Sequence, residues 1–161
     1  MSDNLMGNFR RDISFQLCDG ENGRILLTGS MRDVYHDILM EVVVNGASLV
    51  IESAQVEFRK CPENECHQAA QRLERLAGVT IGRGLNKKIL DALGGGEGCG
   101  NLRLLLTGLL PLAMNVKAAE GFDNVEDMMG NIRKKLRGSC AGYPEAADSR
   151  VTEINKETST A

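Results

Sequence analysis

Five cysteines and two histidines are spread over 161 residues, and three of the cysteines fall where the chain changes character. Cys61 and Cys66 lie in Lys60-Cys61-Pro62-Glu63-Asn64-Glu65-Cys66-His67, between a strand-like half and a helix-like half. Cys99 lies in Gly94-Gly95-Gly96-Glu97-Gly98-Cys99-Gly100, between two helical patterns. A thiol in the first turn of a helix sits beside unpaired backbone N–H groups, which favour its thiolate. Thiolates joined by an imidazole suit zinc or an iron–sulfur cluster, because soft sulfur prefers those centres to Mg²⁺ or Ca²⁺. The candidate metal ligands are therefore His36, Cys61, Cys66 and Cys99. Gly98 and Gly100 are candidate cofactor-binding positions, since backbone without side chains permits close approach.

Plainer readings compete at each position. Cys66 falls on an apolar helical stripe, where a free cysteine often serves as a small buried hydrophobe. Cys61 and Cys66 have a zinc-compatible gap, but only Cys99 follows where a second pair would be needed, so a structural zinc finger is not expected. His36 opens the strongest strand pattern, and a lone histidine there is commonly a surface residue. Asp37 beside it would orient the ring if it bound metal. His67 is expected to face solvent, and Cys18 and Cys140 to be peripheral. The glycine-rich loop follows a helix and lacks a P-loop ending, which argues against phosphate binding.

The elements that must position these residues divide into two groups. Residues 9–58 read as a β-meander: Arg11 to Leu17 alternates polar with apolar, Arg24 to Met31 returns, and His36 to Val44 is the clearest strand. Asn45-Gly46 predicts a tight hairpin turn, and Ser48 to Phe58 a strand with Val50, Ala54, Val56 and Phe58 on one face. Residues 62–138 read as helical. Cys66, Ala69, Ala70, Leu73, Leu76 and Ala77 form the first stripe, capped by Asn64 or begun by Pro62, with Gly78 ending it. Further helices are predicted over Leu85–Leu93, from near Asn101 with a break at Pro111, and over Asp123–Arg137 with Val125, Met128, Met129, Ile132 and Leu136 as its stripe. This predicts a single α+β domain over 1–138, an antiparallel meander with helices packed on one face, and a mobile tail over 139–161.

Composition narrows the function. A net charge of −3 is the wrong balance for a nucleic-acid binder, which needs a basic excess. The start lacks a basic region followed by an apolar one, and the apolar run Leu102–Met114 is interrupted and too short to span a bilayer. No membrane association is expected, and the location expected is cytoplasmic, with the cysteines free or ligating.

Two resemblances attach to these residues. Cys61-Pro62, Glu65-Cys66, Ala69-Ala70, Leu76-Ala77-Gly78 and Gly98-Cys99-Gly100-Asn101-Leu102 resemble an uncharacterised bacterial family with Cys-Pro, Glu-Cys, an Ala pair, Leu-x-Gly and Gly-Cys-Thr-His-Leu motifs. Here Gly100 and Asn101 stand in place of that Thr and His, so any role of the histidine in relatives is lost or moved. The order of elements is also similar to the iron–sulfur scaffold fold of the IscU and NifU type, with Tyr35-His36-Asp37, Cys66 and Gly98-Cys99 at its ligand places. That resemblance implies a scaffold or carrier rather than an enzyme with turnover, with His36 standing where a scaffold has Cys and Gly98 where it has His.

The leading expectation is thus a metal- or iron–sulfur-cluster-binding carrier with a protein partner. The alternative is a non-catalytic interaction module or accessory subunit. A thiol enzyme with Cys99 as nucleophile would need Glu97 or His36 as its base. Oligomeric state is not legible.

Overall fold

Alternation of apolar residues makes the first half a sheet. In this computed structural model, which describes residues 9–145, β1 (Asp12–Asp19), β2 (Arg24–Arg32), β3 (Asp37–Asn45) and β4 (Ile51–Lys60) form an antiparallel meander in the order β1-β2-β3-β4. Leu27 pairs with Val42, and Met31 with Ile38, so the apolar sets of neighbouring strands share one face. Ile25, Leu27, Met31, Ile38, Met40, Val42 and Val44 are all buried there. The opposite face carries Thr28, Ser30, Glu41, Gln55 and Glu57 with half-exposed Leu26, Leu39 and Val43.

Two details differ from the sequence reading. Asn45-Gly46 does not make a two-residue turn. The Asn45 side-chain oxygen accepts from the N–H groups of Ala47 and Ser48, at 3.1 and 3.0 Å, and holds a longer loop over 46–50. Leu49 takes a positive φ of 57° in that loop and is buried. Consequently Ile51, not Val50, is the inward residue at the start of β4, and Val50 bridges to Thr80. A register shift beside Val43/Val44 restores the inward parity of Ala54, Val56 and Phe58, and a second, beside Asp37/Ile38, falls after Phe58.

A three- and four-residue apolar period makes the second half helical. The helices are α1 (Cys66–Gln71), continued by a 3₁₀ turn Arg72–Leu76, then α2 (Leu85–Leu93), α3 (Gly100–Leu109) and α4 (Ala113–Ala119). Gly78, at φ 81°, ends the first helical segment, as its position predicted. Pro111 sits in a short 3₁₀ turn between α3 and α4. Leu73, Leu76, Ile89, Leu93, Leu102, Leu105, Leu106 and Leu109 pack with the buried strand residues in one core. The predicted architecture, a meander with helices on one face, is the observed α+β fold. Burying each of these leucines contributes about 1.5–3 kcal/mol. The helical run Gly100–Ala119 is long and apolar enough to cross a membrane by length and composition; here Leu102, Leu105, Leu106, Leu109 and Leu110 lie in the core and Leu104 is exposed.

The chain divides into two compact units, Met1–Lys117 and Ala118–Ala161. In the second, α5 (Val125–Lys135) is capped by Asn124, whose side chain accepts from the Asp127 N–H at 2.9 Å. Glu126 and Asp127 in its first turn and Arg133, Lys134 and Lys135 in its last complement the helix dipole. No residue of α5 is buried, so its predicted apolar stripe is not a core face among the described residues. Of the predicted tail, 139–145 includes a bridge between Cys140 and Tyr143, and 146–161 lies outside the described residues.

Candidate functional site

Antiparallel pairing decides which loops meet. Asp37 opposes Lys60, so His36, just before β3, and Cys61, just after β4, lie at the same end of the sheet. The Lys60 ammonium donates to the Val34 carbonyl and ties the two segments together.

His36 is held on both sides. Its Nδ1 donates to Asp33 Oδ1 at 2.9 Å, and its Nε2 accepts from Asn101 Nδ2 at 3.0 Å. The expected orienting carboxylate, Asp37, instead pairs with Arg32 at 3.0 Å. The Asp37 side chain faces outward on β3, one position from inward-facing Ile38, and so turns away from the ring. Asp33 takes that role because the turn between β2 and β3 folds it back. Its carboxylate has no exposed surface, although no residue as a whole is both buried and polar among those described. It also accepts from the N–H groups of Tyr35 and His36 and from Arg11 Nε at 2.7 Å. Burial alone would raise its pKa. The hydrogen bonds from His36, Tyr35 and Arg11 outweigh burial and hold the carboxyl well below the usual carboxylate range.

The thiols form the other half. Cys66 begins α1, as its spacing predicted, and Cys99 precedes α3 at the N-cap position without capping it through its side chain. Both line one cleft of about 240 Å³, together with Glu63, Glu65, Gln68, Ala69, Gly96, Glu97 and Gly98. Cys61 faces Cys66. Partial burial, then the neighbouring Cys66 thiol, pushes the Cys61 thiol up from its ordinary value. His67 is exposed, as expected, yet it is not isolated: its Nε2 lies 3.8 Å from Cys61 Sγ, and its ring stands edge-on to Phe58 at 5.3 Å. The reversal of chain between Phe58 and His67 returns the first helical turn to the end of β4, which a helical-wheel reading does not register.

The glycines have local reasons of their own. A Cβ at Gly98 would collide with the Leu93 carbonyl oxygen at the end of α2, while Gly100 meets only the Arg103 guanidinium, at 3.7 Å from an ideal Cβ. Cys99 itself is half-buried and packs against the core as well as lining the cleft. Cys18 lies on β1, and Cys140 is exposed. Among the described residues no three His, Cys, Asp or Glu side chains are grouped closely enough to hold a metal ion as they stand. A roomier hollow of about 420 Å³, beside Asp12, Ser14, Ser30, Arg32 and Asp37, holds no thiol or imidazole. Its Arg32 and Asp37 are paired with each other.

These features define an α+β protein with thiols, an imidazole and carboxylates gathered at one end of a four-stranded meander. Residues 12–115 match the family described as protein of unknown function (DUF2889), and the chain belongs to that family. No curated protein and no solved structure matches the chain. Nothing in these comparisons supports the expected resemblance to the IscU and NifU type.

Proposed function

We propose that this protein binds a thiophilic metal centre, zinc or an iron–sulfur cluster, through Cys61, Cys66 and Cys99, and acts as a carrier rather than as an enzyme. The observation that carries this reading is that Cys66 and Cys99 line one cleft, with Cys61 and its neighbour His67 at the same end of the sheet. The nearest imidazole to a thiol is that of His67, 3.8 Å from Cys61. It is the better nitrogen ligand than His36, both of whose ring nitrogens are engaged by Asp33 and Asn101. Glu63 and Glu65 around the cleft favour a cation over an anion, while the third lining carboxylate, Glu97, is paired with Arg72 at 2.9 Å. The donor types fit zinc or iron. Each thiol must lose its proton to ligate, so affinity rises with pH, and the raised Cys61 thiol extends that rise to higher pH.

The test is anaerobic titration of the reduced protein with Co²⁺ as a spectroscopic substitute for zinc, followed by reconstitution with iron and sulfide. Saturable thiolate-to-cobalt charge transfer that is lost in both Cys66→Ser and Cys99→Ser supports the reading. A visible iron–sulfur spectrum with the same dependence identifies the cluster form. Absence of both, or binding that survives both substitutions, sinks it.

A further inference from the structure

We propose that β1 is a self-association edge, through which two copies of this chain join their sheets into one antiparallel eight-stranded sheet. β1 ends the order β1-β2-β3-β4, and among the described residues no strand pairs with its outer side. Every second backbone N–H and C=O along Asp12–Asp19 therefore points away from β2, without a ladder partner among the described residues. Edge strands that must stay single are usually short, or are broken by proline, a bulge or an inward lysine. β1 has none of these. It runs for eight residues, pairs with β2 in unbroken register and contains neither proline nor lysine.

The side chains select the partner. Ile13 and Phe15 oppose Met31 and Gly29 on the core side of the sheet, yet they remain 39% and 37% exposed because the helical layer stops short of this edge. Phe15 lies against Gly29 and against Gly108 of α3, and the rest of its surface is open. Two antiparallel copies of β1 keep both core faces on one side only in a register where residue numbers of opposed pairs sum to an even value. In the register centred on Phe15, Phe15 opposes its own copy, Ile13 opposes Leu17, and Ser14 opposes Gln16 on the outer face. Apolar residues meet apolar residues and hydroxyl meets amide, so the strand is complementary to itself. A second copy satisfies the edge hydrogen bonds and covers Ile13 and Phe15 in one step.

Sedimentation equilibrium of the full-length chain over a concentration series tests this. We expect a reversible equilibrium between 17.5 kDa and twice that mass. Ser14→Lys with Gln16→Lys sets lysine opposite lysine twice across the two-fold axis without touching the core. It should weaken dimerisation by roughly tenfold or more. Ser14→Lys with Gln16→Glu sets opposite charges in the same places and should leave the dimer intact or tighter. Circular dichroism checks that both variants fold. A monomer at every concentration, a larger assembly, or a dimer indifferent to both double variants overturns the proposal.

Discussion

At the scale of single residues, the least replaceable polar group is Asp33. Its enclosed carboxylate gathers two backbone N–H groups of its own turn, the Arg11 side chain and the His36 ring. Asp33→Asn keeps an oxygen for the turn but loses the charge that faces Arg11 and His36. We expect a loss of about 1.5–3 kcal/mol at pH 7 by urea denaturation, the range for hydrogen bonds to a charged group. The pH dependence has a definite sign. The folded pKa lies below the ordinary 3.8, so the unfolded chain takes up this proton first on acidification. The contribution is whole above pH 3.8 and is lost as pH falls from there toward the folded value. The variant should therefore show a flatter acid limb than the parent. An equally steep limb in Asp33→Asn would show that other carboxylates govern acid unfolding. The sequence reading chose Asp37 as the partner of His36 because it is adjacent. Adjacency misleads at a strand boundary, where Asp37 takes the outward parity of β3 and Asp33 is carried back by the turn. The thiols were more legible: Cys66 and Cys99 open helices as predicted, while the return of His67 to Cys61 depends on a chain reversal that no spacing reveals.

At the scale of elements, β1 and α3 meet through a glycine. Gly108 lies inside α3, where alanine is normally preferred by about 1 kcal/mol. A Cβ at Gly108 would run into the Phe15 ring, which would have to leave its place over Gly29. Gly130, inside α5, has open space around it. Gly108→Ala should therefore destabilise the Met1–Lys117 unit by about 1–3 kcal/mol, as overpacking does, despite the better helix former. Gly130→Ala should stabilise α5 by about 0.5–1 kcal/mol. Denaturation followed by circular dichroism reads both, and the same sign for the two substitutions would refute the packing argument. Elements were legible wherever periodicity alone decides. Leu85–Leu93 is helical over its predicted bounds, and the alternation of β2 and β3 gave the buried face. The hairpin after β3 was not, because the Asn45 side chain captures two N–H groups and lengthens the loop. The start of β4 then shifts by enough to exchange Val50 for Ile51 on the inner face.

At the scale of the whole molecule, apolar burial is distributed unevenly along the chain. The buried hydrophobic residues run from Ile25 to Ala113, all within the Met1–Lys117 unit, whereas α5 contributes none. Stability in a protein is local where buried apolar contacts are few and global where they are dense. Amides of β2, β3 and α3 should therefore exchange only through global unfolding, and those of α5 through opening of far lower cost. Leu106→Ala, in the centre of the core, should cost about 2–5 kcal/mol. It should lower the protection of β2, β3 and α3 together by that same amount. Amides of α5 should exchange at unchanged rates in that variant, since their opening does not pass through the leucine core. Native-state hydrogen exchange followed by mass spectrometry resolves the two groups in one experiment. If α5 loses protection in step with α3, the two units unfold as one, and the uneven burial along the chain does not divide its cooperativity.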